Sequence, residues 1–143
     1  MAAQTLYAYL DSVPTFFLSS AADFSGVTPA NSNQPITFPA GVNTITITVG
    51  GTNPVGFAFS GFSIIGVLAG STPAAPLYSA AAEAELNAFS ITISSSGITI
   101  TDNNPNNTGV NLEYEYTIYC QRAVDGVPFA DDPRIVNQTG GGG

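Results

Sequence analysis

The stretch Asn43-Thr44-Ile45-Thr46-Ile47-Thr48-Val49 decides the fold class. Ile45, Ile47 and Val49 share one parity, and the threonines hold the other. Successive side chains of an extended chain point to opposite faces, so this pattern specifies a strand with one buried and one wet face. Its β-branched side chains suit a pleated surface. Gly50-Gly51-Thr52-Asn53-Pro54 then ends it with residues that favour turns.

The same period recurs on both sides. Upstream, Leu6, Ala8 and Leu10 alternate with Tyr7 and Tyr9. Ile36-Thr37-Phe38 stands between Pro35 and Pro39, which predicts an edge or bulged strand because proline cannot donate to a ladder. Downstream, Phe57, Phe59 and Gly61 share a parity, but Phe62, Ile64 and Gly66 take the other; a phase slip at a glycine predicts a bulge. Residues 70–76 read as a loop, and Ser79 to Asn87 as one or two helical turns capped by Ser79. Phe89, Ile91 and Ile93 pair in pattern with Ile98 and Ile100 across Ser94-Ser95-Ser96-Gly97, a β-hairpin in which the glycine is expected to supply the special backbone angle. Residues 101–109 read as a long polar turn. Val110 to Cys120 is the longest strand, with Leu112, Tyr114, Tyr116, Ile118 and Cys120 on one face and Glu113, Glu115, Thr117, Tyr119 and Gln121 on the other. A last short strand is expected around Ile135-Val136.

Short strands with regular turn signals and no βαβ alternation predict an all-β fold: an antiparallel immunoglobulin-like β-sandwich of 7–8 strands, with a short helix near 79–87. A jelly roll or closed barrel is the alternative. Residues 1–139 read as a single domain and 140–143 as a flexible glycine tail.

Composition narrows the chemistry. The 143 residues carry ten acids and two bases, a formal charge of −8, with no histidine or tryptophan and one cysteine. Both bases are arginine, so lysine is absent too. The side chains for a Ser-His-Asp triad, an imidazole metal site, a Schiff base or a P-loop lysine are missing. An acidic chain with two bases argues against nucleic acid, whose phosphates require clustered cations. The most apolar stretch, Val55 to Ala69, is too short for a membrane span and is broken by Ser60, Ser63 and glycines. The first 23 residues lack a base, and Asp11 and Pro14 interrupt their apolar run, so no secretory signal is expected. A lone cysteine then favours the cytoplasm.

Few constellations suggest a site. Glu113 and Glu115 sit on one strand face with Cα atoms roughly 6.8 Å apart. That spacing suits a glycosidase pair, but any Glu-x-Glu strand satisfies it, and a solvated outer face is the plainer reading. Asp102 to Glu113 places oxygen side chains at the first, third, fifth and twelfth positions of a calcium loop, with the glycine displaced and strands rather than helices at its flanks. Cys120 continues an apolar face and reads as a small hydrophobe. Arg122 has Asp125 nearby, and Arg134 has Asp131 and Asp132, so local ion pairs are expected; the other reading makes Arg134 an anion anchor. Tyr119, on the glutamate face, is the best aromatic contact candidate. The candidate contact residues are therefore Tyr119, Glu113, Glu115, Arg134 and Asp132, with no catalytic residue, metal or cofactor expected.

Several segments carry a resemblance. They are Gly56-Phe57-Ala58-Phe59, Phe89-Ser90-Ile91-Thr92-Ile93, Ile98 to Asn104, Tyr114-Glu115-Tyr116-Thr117-Ile118, and the closing Asp132-Pro133-Arg134-Ile135-Val136-Asn137. Together they resemble the DP-EP family of small bacterial β-sandwich proteins, which is distantly similar to the AidA/PixA inclusion-body proteins. The resemblance spans about residues 40–137; Gln138-Thr139 stands where that family has Glu-Pro, and residues 1–40 match nothing in it. It implies an immunoglobulin-like sandwich and carries over no catalytic residue. The function expected is a non-enzymatic module working through protein contacts or self-association. A small-ligand or glycan-binding sandwich, using the Asn-rich loop and Tyr119, and a structural or surface assembly protein are the alternatives.

Overall fold

The computed structural model describes residues 2–10, 16–19, 36–49, 53, 55–71, 77–106, 108–131 and 133–139. The glycine tail, Asp132 and most of the 50–54 and 70–76 breaks fall outside them. The strands are β1 (Ala2–Leu10), β2 (Phe16–Ser19), β3 (Ile36–Phe38), β4 (Gly41–Val49), β5 (Phe57–Val67), β6 (Phe89–Ile93), β7 (Gly97–Asn104), β8 (Leu112–Arg122), β9 (Pro128–Asp131) and β10 (Arg134–Asn137). One short helix, α1 (Ala80–Glu83), and a 3-10 turn, Leu86–Ala88, lie between β5 and β6.

Two five-stranded sheets pack together as a sandwich. One has the order β2-β1-β4-β7-β6; the other has β3-β10-β8-β5, with β9 also paired to β8. The sheets are mixed, which corrects the expectation of a wholly antiparallel sandwich. β1 runs parallel to β4, with Leu6 opposite Ile47, and β3 runs parallel to β10, with Ile135 opposite Ile36. Parallel neighbours need a long crossover, and here β2, β3 and the chain between them lie between β1 and β4 in sequence.

Alternation placed the core correctly. Ile45 and Ile47 of β4, Ile98 and Ile100 of β7, Leu6, Ala8 and Leu10 of β1, and Leu112 through Cys120 at every second position of β8 are all buried. Each fully buried isoleucine contributes roughly 1.5–3 kcal/mol relative to exposure. Aromatic edges and faces fill the rest: Phe89 meets Tyr114 with centroids 4.8 Å apart, and Phe62 stacks on Tyr116 at 5.8 Å. The phase slip is a bulge, since the register of β5 against β8 shifts between Phe59 and Gly61.

Several connections have identifiable causes. β3 is an edge strand, as its flanking prolines predict, and the chain passes from it into the other sheet through Pro39 and Ala40, with Gly41 at φ +112°. β9 and β10 hold one unbroken register against β8, from Gln121 opposite Pro128 to Leu112 opposite Asn137. They form a single hairpin arm, with Pro133 just before β10. There Tyr116 N–H donates to Pro133 O at 3.0 Å, and the proline returns no donor. Ser79 caps α1, its hydroxyl accepting from Ala82 N–H at 3.2 Å.

Two local expectations change. The β6–β7 turn does not use a glycine in the left-handed region, because Gly97 is not among the positive-φ glycines. The Ser94 hydroxyl closes the turn instead, accepting from Gly97 N–H and donating to Gly97 O, both at 3.2 Å. The supposed turn from residue 101 is strand up to Asn104, because Asp102 and Asn104 are buried on the inward parity of β7. Among the described residues no helix is long and apolar enough to cross a membrane.

Candidate functional site

The interior is apolar along most of its length and polar at one end. Ile98 and Ile100 are followed, on the same inward parity of β7, by Asp102 and Asn104. Asn43 lies opposite Asp102 on β4, and Asn137 reaches in from β10 of the facing sheet. Asn106 follows just beyond β7. All five side chains are buried.

Most of this polar end is structural. Asn43 Nδ2 donates to Pro39 O and Gly41 O, both at 2.9 Å, and so fixes the corner between β3 and β4. Asn104 Nδ2 donates to Pro39 O at 3.1 Å and Gln138 O at 3.0 Å, tying β7 to chain of the other sheet. Asn106 Nδ2 donates to Val110 O at 2.9 Å and Asn137 O at 3.1 Å, while its Oδ1 accepts from Thr108 N–H and Oγ1. These bonds commit the Asn104 and Asn106 side chains to backbone at the β3–β4 corner, beyond β7 and at the end of β10. The 102–113 stretch is therefore strand at both ends, and between them Asn106 and Thr108 bond each other and Val110 O.

Asp102 is different. Its carboxylate is 0% exposed, and Oδ1 accepts from Asn137 Nδ2 at 3.2 Å. Burial pushes its pKa up from 3.8 to about 7; the Asn137 bond opposes this, and the charge of Glu85 adds to it. Its Oδ2 has no hydrogen-bond partner, and the same holds for Asn137 Oδ1, Tyr114 OH and Glu85 Oε2, on residues that bond Asp102 or interact with its charge. Tyr114 is raised first by burial and then by the charges of Glu85, Asp102 and Glu83, which places its ring in the same acidic environment. Leaving a buried acceptor unpaired costs roughly 1–3 kcal/mol. The sequence did contain a signal: a carboxylate and an asparagine on the inward parity of an otherwise aliphatic strand, with Asn106 continuing the same spacing beyond it. Reading them as turn residues concealed it.

The outer face of β8 carries the residues singled out from sequence. Glu113 and Glu115 do lie on one strand face, but that face is not fully solvated: Glu115 is only 6% exposed. Arg134, opposite Glu115 in register and 4% exposed, lies over this face. Its Nη1 meets Glu113 Oε1 at 3.4 Å, and its Nη2 donates to Ser71 Oγ at 3.4 Å. Glu113 Oε2 also accepts from Gly70 N–H at 3.1 Å. Arg134 thus has a cross-strand carboxylate in Glu113, because β10 lies beside β8 and brings the two together; of the acids expected beside it in sequence, Asp132 lies outside the described residues. With Glu113 on it, the guanidinium has a carboxylate partner already.

Arg122 behaves as expected, bonding Asp125 through Nε at 2.9 Å and Nη2 at 2.6 Å. That bond raises the arginine and lowers the aspartate. Its guanidinium also lies 5.6 Å from the Phe129 ring centroid. Cys120 is buried, and burial pushes its thiol up to about 12, the opposite of an activated nucleophile. Tyr119 is 41% exposed and packs against Gly61. It stands seven residues beyond Leu112, roughly 24 Å along β8 from the Asn-rich turn, so the structure does not bring those two features together.

One further surface stands out. β6 forms the outer edge of its sheet, and its segment Phe-Ser-Ile-Thr-Ile has neither charge nor proline. Ile91 and Ile93 lie opposite buried Ile100 and Ile98, yet they are 36% and 43% exposed. Among the described residues no three or more His, Cys, Asp or Glu side chains are grouped to hold a metal. No known protein family and no curated protein matches the chain.

Proposed function

We propose that this protein is a non-enzymatic sandwich module that self-associates through the edge of β6. The observation that carries the reading is an uncharged edge strand with two half-exposed isoleucines. Edge strands present unpaired backbone donors and acceptors, and natural sheets guard them with charge, proline or a covering element. Of the other edges, β3 is three residues long, the end of β5 pairs with Tyr78 at Val67, and the four-residue β2 lies against β9. Two copies of β6 can pair antiparallel about a twofold axis, extending the sheet and covering Ile91 and Ile93. A net charge of −8 opposes close approach, so the pairing is favoured where the strand itself is neutral.

The absence of histidine and lysine, with a thiol held protonated by burial, supports the non-enzymatic part of this reading. We infer a resemblance to the DP-EP family of immunoglobulin-like sandwich proteins. The support is the Asp-Pro step and the Ile135 and Asn137 positions of its closing motif, the last two being buried.

Sedimentation velocity over a rising concentration series tests the association. A weak, concentration-dependent dimer is expected, since a five-residue edge buries little surface. Ile91→Lys should return it to monomer without loss of the far-UV signal. A wild-type protein that stays monomeric across the series would refute the proposal.

A further inference from the structure

Among the described residues, Asp102 Oδ2 is buried without a hydrogen-bond partner, and so are Asn137 Oδ1, Tyr114 OH and Glu85 Oε2, on three residues that bond Asp102 or feel its charge. They come from separate elements: Asp102 from β7, Asn137 from β10, Tyr114 from β8, and Glu85 from the chain between α1 and the 3-10 turn. Native interiors pair their buried polar groups, so such a concentration points to a missing partner. Three of the four atoms, the carboxylate oxygens of Asp102 and Glu85 and the amide oxygen of Asn137, can only accept or coordinate while the acids are ionised. What fits them is a donor or a positive charge.

The chain cannot supply that charge itself. Its bases are Arg122 and Arg134. Arg122 is bonded to Asp125 at the β8–β9 turn, and Arg134 to Glu113 on the outer face. The ligand atoms are all oxygen, which selects a hard cation over zinc or copper. Two carboxylates match a divalent charge, and neutral amide and phenol oxygens are compatible with the irregular coordination that calcium tolerates and magnesium does not. The Asn137 amide already faces Asp102. Turning it over would bring Oδ1 to the position Nδ2 now occupies, an exchange of nearly identical shape.

We propose that the polar end of the interior binds one calcium ion between the sheets, with Asp102 and Asn137 as its central ligands and Glu85 and the Tyr114 hydroxyl beside them. This site is distinct from the 102–113 loop, with which it shares only Asp102. Bound there, the ion would hold β7 of one sheet to β10 of the other. It would also draw in the segment before β6, so the site bears on how firmly that edge is presented.

The experiment is a calcium titration of the full chain after chelator treatment, followed by calorimetry and by the thermal unfolding midpoint. One equivalent of calcium per chain should bind and raise the midpoint, and magnesium at the same ionic strength should do so less. Asp102→Asn, nearly isosteric with the native side chain, should fold by circular dichroism and lose both responses. Glu85→Gln, nearer the surface, should fold regardless and weaken binding by about 10-fold or more. Absence of binding heat with an unchanged midpoint at millimolar calcium would overturn the proposal. So would an equal shift in Asp102→Asn, which would assign the effect to the acidic surface. A crystal grown in calcium that shows only water among these four oxygens would do the same.

Discussion

Asp102 has a second consequence at the residue scale that needs no ligand. Its pKa rises from the ordinary 3.8 to about 7 on folding. Between these values the folded chain holds a proton that the unfolded chain releases, so stability falls as pH rises through that window. Above about 7 the full cost is present, and below about 4 it is gone. Asp102→Asn is neutral at every pH. In chelator-treated protein it should be more stable than wild type at pH near 8, by roughly 1–3 kcal/mol, the cost of one poorly satisfied buried group. That advantage should disappear as pH approaches 4. Paired urea melts across the range measure it, and a difference independent of pH would mean Asp102 is ionised throughout. Arg122 and Asp125 offer no comparable lever, because that pair is on the surface, where solvent and salt screen the attraction.

At the scale of elements, α1 is held by one close approach. A Cβ at Gly66 would lie 2.5 Å from Glu83 N and 2.8 Å from Ala82 Cβ, both far inside contact distance. Gly66 N–H also donates to Glu83 Oε2 at 2.9 Å, so helix and strand are bonded at the same point. Gly66→Ala should therefore displace α1 and cost about 1–3 kcal/mol, the usual price of overpacking. Gly56→Ala, which would meet only Ala123 Cβ at 3.6 Å, is the control and should change the urea midpoint little. Legibility differs by element for physical reasons. β4, β5 and β8 were readable because each alternates apolar and polar residues over a long run. The capped turn at Ser79 was readable because a hydroxyl precedes an alanine-rich run. β2 was missed because four residues carry too little period, and the end of β7 was missed because its inward residues are polar. The parallel pairings were invisible because alternation records which face is buried and says nothing of strand direction.

For the molecule as a whole, the two sheets are joined by more than their apolar faces. The β3–β4 corner crosses between them, Asn104 at the end of β7 and Asn106 beyond it bond the backbone of Gln138 and Asn137 at the end of β10, and Asn137 bonds Asp102 across the interior. The Ser95 carbonyl of the β6–β7 turn also accepts from Phe59 N–H at 2.9 Å, linking the two sheets at the β5 side. Cross-links at several separate places leave neither sheet able to open without breaking the others, so unfolding should be a single cooperative event. Cys120 reports on this directly. It sits on the buried face of β8, opposite Phe59 on one side and Phe129 on the other, and its thiol is both enclosed and held protonated. A thiol reagent in rising urea should label it along the same curve that describes loss of the far-UV strand signal. Labelling at lower urea, with that signal intact, would show β9 or β5 detaching from β8 alone. The cross-links at the polar end would then act locally, and the sandwich would have two cooperative units in place of one.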